Sequence, residues 1–329
     1  MLAAIYRRHG PAVDTIELAD WDDGALQPRD ARVQIEAAPV HFGDLLYVEG
    51  RLATSPPPPA VAGSEGLGRI VELGAAVTGL RLGQRVFLPR KAGAFAQRLR
   101  FEAARLVPAP EDGDPLQLAL VPVNALTSYL LMTRVVPLQR GDWVLQNAAN
   151  SSCGRFNIGI ARRLGLRTVN VVRREALVAD LLSCGADVTL LDGEDLPARV
   201  ADATGGAPIR FAIDAVAGDA TARLARCLAV DGVVAVYGLM SMQPCRVPSD
   251  LLFLNNLRLQ GYFLPHYERG IPRDEWLAIM AQLGRWVADG ELRAKIAATY
   301  ALPQVREAFR HELESGAGRD GKVILLPNA

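Results

Sequence analysis

Cysteine is scarce in this sequence, and its spacing excludes two kinds of site. The 329 residues include four cysteines, Cys153, Cys184, Cys227 and Cys245, with no C-x-x-C pair and no histidine beside them. A clustered cysteine lobe for structural zinc is therefore not expected. Scattered thiols favour a reducing compartment over a disulfide framework, so we expect a cytoplasmic protein.

Long apolar runs and an excess of charge of either sign are also missing. No stretch approaches the roughly 20 apolar residues needed to cross a bilayer, and early charge makes MLAAIYRRHG a poor signal peptide. Lysine plus arginine and aspartate plus glutamate number 36 each. Because no overall field draws the chain to nucleic acid or to an anionic membrane, we expect neither as a partner.

Short strands are predicted in the first third of the chain. Residues 31–37 alternate apolar and polar side chains, and 66–74 and 84–89 are also strand-like. Four prolines at 56–59 predict a stiff surface loop. Similar segments return near the carboxyl terminus, so residues 1–118 and 267–329 are predicted to form one mainly β domain.

From about residue 119 the sequence pattern changes, and predicted buried strands alternate with predicted helices. Strands are predicted at 143–148, 167–172, 188–191, 211–216 and 233–237, with helices at 118–134, 156–164, 176–184, 196–204 and 220–228. This alternation predicts right-handed crossovers and a parallel sheet. We assign residues 119–266 to a doubly wound α/β nucleotide-binding domain and expect the active cleft between the two domains.

The segment 146–154, QNAANSSCG, joins a predicted strand to a predicted helix. A dinucleotide pyrophosphate needs small residues there, so that backbone amides and the helix N-terminus face its charge. Gly154 is the one glycine in the segment, and Ser151 and Ser152 are small enough to keep the approach open. The motif is weak alone, and its strand–turn–helix context strengthens it.

Two arginines, Arg173 and Arg174, follow the next predicted strand. NAD enzymes usually place a carboxylate there for the ribose hydroxyl, whereas an arginine pairs with the 2′-phosphate of NADP. The alternative is that these arginines only cap a surface turn. We predict NADPH as the cofactor.

With these residues placed, the sequence resembles the zinc-free medium-chain dehydrogenases/reductases over nearly its whole length. It is most similar to mitochondrial-type 2-enoyl thioester reductases, with quinone oxidoreductases as near relatives. The resemblance rests on VNALTSY (123–129), QNAANSSCG (146–154), LRTVNVVRR (166–174), YGLMSMQP (237–244), LRLQGYFL (257–264) and GKV (321–323). It implies a GroES-like catalytic domain beside a Rossmann domain, and hydride transfer from NADPH to an activated C=C bond of an α,β-unsaturated carbonyl.

The resemblance also implies which residues line the NADPH site and how the chain assembles. The implied cofactor residues are Asn124, Thr127, Asn150, Ser151, Ser152, Cys153, Gly154, Arg173, Arg174, Tyr237, Gly238, Leu239, Met240, Tyr262, Phe263, Leu264 and Lys322. Relatives pair the edge strands of their nucleotide sheets across a two-fold axis. Because the predicted strand 257–264 occupies such an edge, we expect a homodimer.

Zinc is not expected, because two ligand positions of the zinc-dependent relatives are changed. Those relatives carry a histidine between glycine and glutamate, where this chain has Gly63-Ser64-Glu65. They also carry a cysteine in the loop before an aspartate, where this chain has His41-Phe42-Gly43-Asp44. We predict no metal site.

The proton donor is unassigned, because enoyl thioester reductases of this type are thought to use a tyrosine in a G-x-Y segment. Here that segment is Gly50-Arg51-Leu52. Tyr47 is the candidate replacement, and packing against the domain surface explains it equally well. His41 and Asp44 are predicted to be a hydrogen-bonded structural histidine and a turn cap. His266 and Tyr267 are predicted to form pocket walls.

Three functions therefore stay open on the sequence. Reduction of an acyl-thioester substrate follows from the resemblance. Leu52 cannot donate a proton, and a quinone or small enone can take its proton from water. The residue therefore favours a quinone or enone reductase that acts on a small molecule. A non-catalytic NADPH-binding sensor or partner protein is the third.

Overall fold

The computed structural model describes residues 1–314 and 320–329. Its strands in chain order are β1 (Leu2–Tyr6), β2 (Glu17–Asp20), β3 (Asp30–Pro39), β4 (Ala60–Val61), β5 (Leu67–Leu73), β6 (Arg85–Phe87), β7 (Arg98–Glu102), β8 (Val107–Pro108), β9 (Trp143–Gln146), β10 (Arg167–Val172), β11 (Val188–Leu191), β12 (Ile209–Asp214), β13 (Val233–Val236), β14 (Arg258–Gly261), β15 (Ile296–Ala301) and β16 (Lys322–Leu326). Its α-helices are α1 (Ala12–Thr15), α2 (Phe42–Val48), α3 (Pro115–Leu118), α4 (Leu126–Arg134), α5 (Ser152–Leu164), α6 (Ala176–Ser183), α7 (Leu196–Thr204), α8 (Asp219–Arg226), α9 (Ser249–Leu254), α10 (Leu264–Glu268), α11 (Arg273–Ala288) and α12 (Val305–Leu313). Shorter 3-10 turns cover Ala103–Arg105 and Leu302–Gln304, and Val121–Ala125 is a π-helical segment.

The chain divides into two compact units. The first, the β unit, is Met1–Leu126 together with Arg273–Ala329, and the second, the nucleotide unit, is Thr127–Pro272. The predicted changes of domain follow residues 118 and 266, whereas the observed changes of unit follow Leu126 and Pro272.

Hydrogen bonds explain why the first change of unit comes so late. The side chain of Gln117 donates to the Ala294 carbonyl at 3.0 Å and accepts from the Ala294 amide at 2.9 Å. Further along, the Glu65 carboxylate accepts from the Val123 amide at 2.7 Å. These contacts hold the segment around residues 115–125 on the β unit.

The β unit contains two sheets with a shared apolar core. The larger has the order β15-β16-β3-β5-β6-β8, with β7 also on β3, and the smaller has the order β2-β1-β4. The last strand β16 pairs antiparallel with β3, so the carboxyl-terminal segment completes a sheet begun by the amino-terminal one. The core includes Ile5, Ile35, Phe95 and Phe309.

The nucleotide unit is a six-stranded sheet of order β11-β10-β9-β12-β13-β14, and its strands are parallel. Strand order reverses between β9 and β12, which is where a doubly wound sheet opens a crevice at the carboxyl ends of its strands. The predicted α/β doubly wound domain beside a mainly β domain is confirmed. Gly165, at φ 71°, ends α5 as predicted.

Two predicted elements differ from the observed ones because of a proline. The single helix predicted over 118–134 is interrupted by the π-helical segment Val121–Ala125, because Pro122 lacks an amide proton. The strand predicted over 257–264 is shorter, at Arg258–Gly261, because Pro265 at the first turn of α10 starts a helix. The sequence also predicts a helix over residues 304–315; a helix is observed at Val305–Leu313, and residue 315 lies outside the described residues.

Within the described ranges, none of the helices is both long and apolar enough to cross a bilayer.

Candidate active site

The carboxyl ends of β9 and β12 are joined by a buried polar pair. Asn147, directly after β9, donates from Nδ2 to Asp214 Oδ1 at 2.6 Å and accepts from the Ala215 amide at 2.8 Å. Asp214 also accepts from the hydroxyl of Thr221 at 2.6 Å. These bonds fix the two strand ends that border the crevice, so Asn147 has a structural role in holding β9 and β12 together.

The turn that follows β9 leads into the N-terminus of α5. Ser151 caps this helix, its hydroxyl accepting from the Gly154 amide at 3.1 Å. A side chain at position 154 is excluded, because an added Cβ would lie 2.4 Å from the carbonyl oxygen of Ala149. The close turn and the 13-residue helix have the amides and the positive dipole end that an anion requires, and the binding of a pyrophosphate there stays a prediction.

Tyrosines of the nucleotide unit lie beside this turn. The ring of Tyr262 stacks on that of Tyr267 at 4.4 Å, and its hydroxyl donates to the Thr127 carbonyl at 3.4 Å. Burial raises the pKa of Tyr237 well above its ordinary value, and burial also raises the pKa of Tyr262. Both phenols therefore stay protonated at neutral pH. Ser128 donates to the Cys153 carbonyl at 3.1 Å, which fixes the first turn of α5.

Arg173 and Arg174 follow β10, the neighbour of β9 in the sheet. Because both strands run parallel, their carboxyl ends lie at the same edge. Arg173 is exposed and Arg174 is half-buried. The exposed Arg173 guanidinium is therefore available to an anionic ligand near the pyrophosphate turn.

The remaining predicted cofactor residues of this unit differ in burial: Thr127 and Leu264 are buried, Asn150, Ser152 and Gly238 are half-buried, and three are exposed. Leu239 and Met240, which follow β13, are 42% and 46% exposed, and Phe263 after β14 is 42% exposed. Gly238 lies against the Ala215 backbone, where an added Cβ would come within 2.6 Å of the carbonyl oxygen. These positions lie at the same sheet edge as the turn after β9, since they follow strands of the same parallel sheet.

Three predicted site residues belong to the β unit. Asn124 is buried in the π-helical segment, and Lys322 begins β16. Tyr47 lies in α2, half-buried, and lines a cavity of about 20 Å³ with Asp44, Ser64 and others. The Lys91 ammonium lies 5.2 Å from the centroid of the Tyr47 ring. Tyr47 is thus packed under a cation, and whether it donates a proton stays a prediction.

A line of polar side chains in the β unit was only partly anticipated. His41 Nε2 lies 2.5 Å from Glu65 Oε1, and Lys322 Nζ lies 3.1 Å from His41 Nδ1. Glu65 is fully buried, and Lys322 is 8% exposed. Burial raises the pKa of the Glu65 carboxyl well above its ordinary value, while burial and then the nearby Lys322 charge lower the pKa of His41 well below its own.

Asp44 lies beside this line. Its carboxylate accepts from the His41 amide at 2.8 Å and from the Ser64 hydroxyl, so its predicted role as a turn cap is confirmed. The predicted structural histidine is likewise hydrogen-bonded through its ring. Burial raises the pKa of Asp44 to about 6.

Sequence reasoning missed Glu65 as a partner of His41 and Lys322. The three residues are separated by 24 and 281 positions, so no local pattern links them. The signal in the sequence was Glu65 itself, an acid that follows an apolar segment. A carboxylate buried there would require a hydrogen-bond partner.

Within residues 1–314 and 320–329, no three or more His, Cys, Asp or Glu side chains form a group able to hold a metal ion. Ser64, which stands where zinc-dependent relatives carry a histidine, instead donates to Asp44.

Comparison with known proteins shows the family. The model of the alcohol dehydrogenase GroES-like domain matches residues 27–111, and that of the zinc-binding dehydrogenases matches residues 153–283. Mitochondrial enoyl-(acyl-carrier-protein) reductase of Homo sapiens is 31% identical over 319 residues, covering 95% of this chain and 85% of the relative. The chain belongs to the medium-chain dehydrogenase/reductase superfamily.

Other members of the superfamily give the same result. The Xenopus tropicalis mitochondrial enoyl-(acyl-carrier-protein) reductase is 34% identical over 272 residues, covering 80% of this chain and 77% of the relative. A putative NADPH:quinone reductase from Bacillus thuringiensis superposes with a TM-score of 0.90 at 26% identity, covering 99% of this chain and 98% of that one. The enoyl thioester reductase of Candida tropicalis, in a mutant form, has the same fold, with a TM-score of 0.85 at 23% identity over 99% of each chain.

Proposed function

We propose that this member of the medium-chain dehydrogenase/reductase superfamily is an NADPH-dependent reductase of 2-enoyl thioesters. The observation that carries the proposal is its 31% identity to a mitochondrial enoyl-(acyl-carrier-protein) reductase over 95% of the chain. The reaction is the reduction of an activated C=C bond conjugated to a carbonyl.

The residues of the nucleotide unit fit NADPH. Gly154 lets the turn after β9 pack closely against the start of α5, because an added Cβ would collide with the Ala149 backbone, and the N-terminus of α5 presents backbone amides at that turn. The exposed guanidinium of Arg173 supplies the charge that a 2′-phosphate requires. The likeness to a putative NADPH:quinone reductase supports the same cofactor.

The bound cofactor would supply a hydride to the β-carbon of the acceptor. The protein's own residues then bind, orient and exclude water. The phenols of Tyr237 and Tyr262 stay neutral because burial raises their pKa values, so each is a hydrogen-bond donor rather than a charge. Tyr47 is a proposed proton donor, and an unchanged rate in Tyr47→Phe would remove it from the mechanism.

A quinone or small-enone reductase is the second candidate. Leu52 stands where enoyl thioester reductases are thought to carry a tyrosine, and it has no proton to give. A reduced quinone takes protons from water, so this function needs no such residue. The likeness to a putative NADPH:quinone reductase favours it as well.

Steady-state oxidation of NADPH tests these proposals. Crotonyl-CoA, a simple quinone and a small enone are compared as acceptors under the same conditions. We expect the largest kcat/KM with crotonyl-CoA, and a larger value with the quinone would replace the first proposal with the second. Tight NADPH binding without oxidation by any acceptor would instead indicate a sensor or partner protein.

We also propose that the enzyme works without zinc, as a homodimer, in the cytoplasm. Ser64 and His41 at the two changed ligand positions support the first proposal. The edge strand β14 and its exposed Leu259 support the second. The free thiols Cys153, Cys184, Cys227 and Cys245 support the third.

A further inference from the structure

An acid lies beside the arginine that is proposed to bind the 2′-phosphate of NADPH. Strands β10 and β11 are parallel neighbours in which Val172 pairs with Leu191. Arg173 and Asp192 are the next residues of these two strands, at the same edge of the sheet. The Asp192 amide donates to the Val172 carbonyl at 2.8 Å, so the two chains still run side by side at this point. The backbone therefore brings a carboxylate next to the predicted 2′-phosphate position.

A free carboxylate at this edge would oppose the binding of NADPH. Its charge would repel the 2′-phosphate, and it would compete with the phosphate for the Arg173 guanidinium. A free acid near the adenosine ribose can also accept from its hydroxyl, which is the arrangement that favours NAD. Asp192 by itself thus indicates the opposite cofactor preference from Arg173.

Arg223 on α8 holds this carboxylate. Its Nε donates to Asp192 Oδ1 at 2.7 Å, and its Nη2 donates to Asp192 Oδ2 at 2.6 Å. The pair is mostly withdrawn from water, since 17% of the Arg223 side chain and 20% of the Asp192 side chain are exposed. The hydrogen bond with Asp192 raises the pKa of Arg223, so the guanidinium stays charged. Two parallel charge-assisted bonds occupy both carboxylate oxygens and neutralise their charge.

The other acids around Arg223 do not replace Asp192 in this contact. Arg223 Nη1 lies 3.5 Å from Glu194 Oε1, but the Glu194 side chain is 83% exposed, and water and salt screen its charge. Asp219, at the start of α8, pairs with Arg246 at 3.1 Å. The bidentate contact with Asp192 is therefore the one that fixes the Arg223 guanidinium.

We propose that Arg223 determines the preference for NADPH by neutralising Asp192. This inference rests on the proposed function, because it takes Arg173 as the residue that binds the 2′-phosphate. Arg223 acts through Asp192 and is a positioning residue for cofactor choice. With the pair formed, Arg173 is the charge that a 2′-phosphate meets at the ends of β10 and β11. With the pair broken, Asp192 becomes a free acid on the neighbouring strand.

The test is the affinity of Arg223→Met for NADPH and for NADH, measured by fluorescence titration. Methionine keeps an unbranched side chain and removes the guanidinium. We expect the dissociation constant for NADPH to rise by about 10- to 100-fold, as charge repulsion at a partly buried site implies, and that for NADH to change far less. Raising the salt concentration should reduce the loss of NADPH affinity, because salt screens the repulsion.

A second substitution separates the charge of Asp192 from any structural role of the pair. In Arg223→Met/Asp192→Asn the acid is removed as well, so NADPH affinity should return close to the wild-type value. Asparagine cannot rebuild the ion pair, so a purely structural loss would persist in this double variant. Arg223→Gln, alone and with Asp192→Asn, gives the same comparison if the methionine variants do not fold.

Arg210→Met is the matched control, because it breaks an ion pair at the opposite edge of the same sheet. Arg210 Nη2 donates to Asp142 Oδ2 at 2.6 Å. Asp142 directly precedes β9, and Arg210 lies near the start of β12, so both are at the amino ends of parallel strands. Exposing Asp142 should leave the ratio of NADPH to NADH affinity unchanged. A change as large as in Arg223→Met would overturn the inference.

Three further results would overturn it and leave the proposed function intact. They are an unchanged NADPH affinity in Arg223→Met, equal losses for NADPH and NADH, and no recovery of NADPH affinity on adding Asp192→Asn. The titrations need no turnover, so a protein that prefers NADPH but reduces none of the acceptors would contradict the proposed function and not this inference. A wild-type protein that binds NADH as tightly as NADPH would contradict both.

Discussion

At the scale of single residues, Asp44 shows how burial changes the pKa of a carboxyl group. Its carboxyl has a pKa of about 6 instead of 3.8, chiefly because burial disfavours the charge. The folded state therefore binds this proton more tightly than the unfolded state. Consequently the contribution of Asp44 to the free energy of unfolding falls as pH rises through the window from about 4 to about 6.

Replacement of Asp44 by asparagine should remove this dependence. A shift from 3.8 to about 6 corresponds to about 3 kcal/mol. Relative to wild type, Asp44→Asn should therefore gain stability, up to about that amount, between about pH 4.5 and about pH 7.5. Urea denaturation at both pH values measures it.

Asp195→Asn is the control for this experiment. Asp195 is exposed, and its hydrogen bond with Arg199 lowers its pKa. Its contribution to stability therefore disappears as pH falls, the opposite direction. Equal pH dependence in wild type and Asp44→Asn would contradict the assignment of a raised pKa.

The choice of cofactor is a second prediction at the scale of single residues. Replacing Arg173 and Arg174 together by serine should weaken NADPH binding far more than NADH binding, because only NADPH carries the 2′-phosphate. Dissociation constants from fluorescence titration of both cofactors measure the difference. Arg226→Ser, in α8 of the same unit, serves as the control. Equal losses for the two cofactors would remove the arginine pair from cofactor selection.

At the scale of elements, β14 is the edge strand of the nucleotide sheet. Its Leu259 is 43% exposed, and Phe253 and Leu254 on the preceding helix α9 are 71% and 69% exposed. An unpaired strand edge beside apolar side chains is a surface that a second copy can cover.

Leu259→Glu should therefore convert the proposed homodimer into monomers, because two-fold pairing would place like charges close together. Sedimentation velocity at micromolar concentration measures the state. Leu82→Glu is the matched control, since Leu82 is 62% exposed in the β unit. A wild-type monomer, or a variant that stays dimeric, would argue against assembly through β14.

The elements also show what the sequence could and could not predict. The bounds of β10, Arg167–Val172, match the prediction, as does the end of α5 at Gly165, because periodicity and caps are local signals. Pro122 was a local signal for an interruption of the helix, but the apolar side chains around it have helical spacing, so the sequence predicted one continuous helix. The contact of Lys322 with His41 was not visible, because it joins residues 281 positions apart.

At the scale of the whole molecule, the nucleotide unit is one continuous segment, Thr127–Pro272. The β unit is made of the residues before and after that segment in the chain. The β unit lacks two strands of its larger sheet until β15 and β16 have been made, since β16 pairs with β3. During synthesis from the N-terminus, the nucleotide unit therefore emerges complete before the β unit does. The pairing of β16 with β3 joins residues that follow the nucleotide unit to residues that precede it, so this sheet can close only after the whole nucleotide unit has been synthesised.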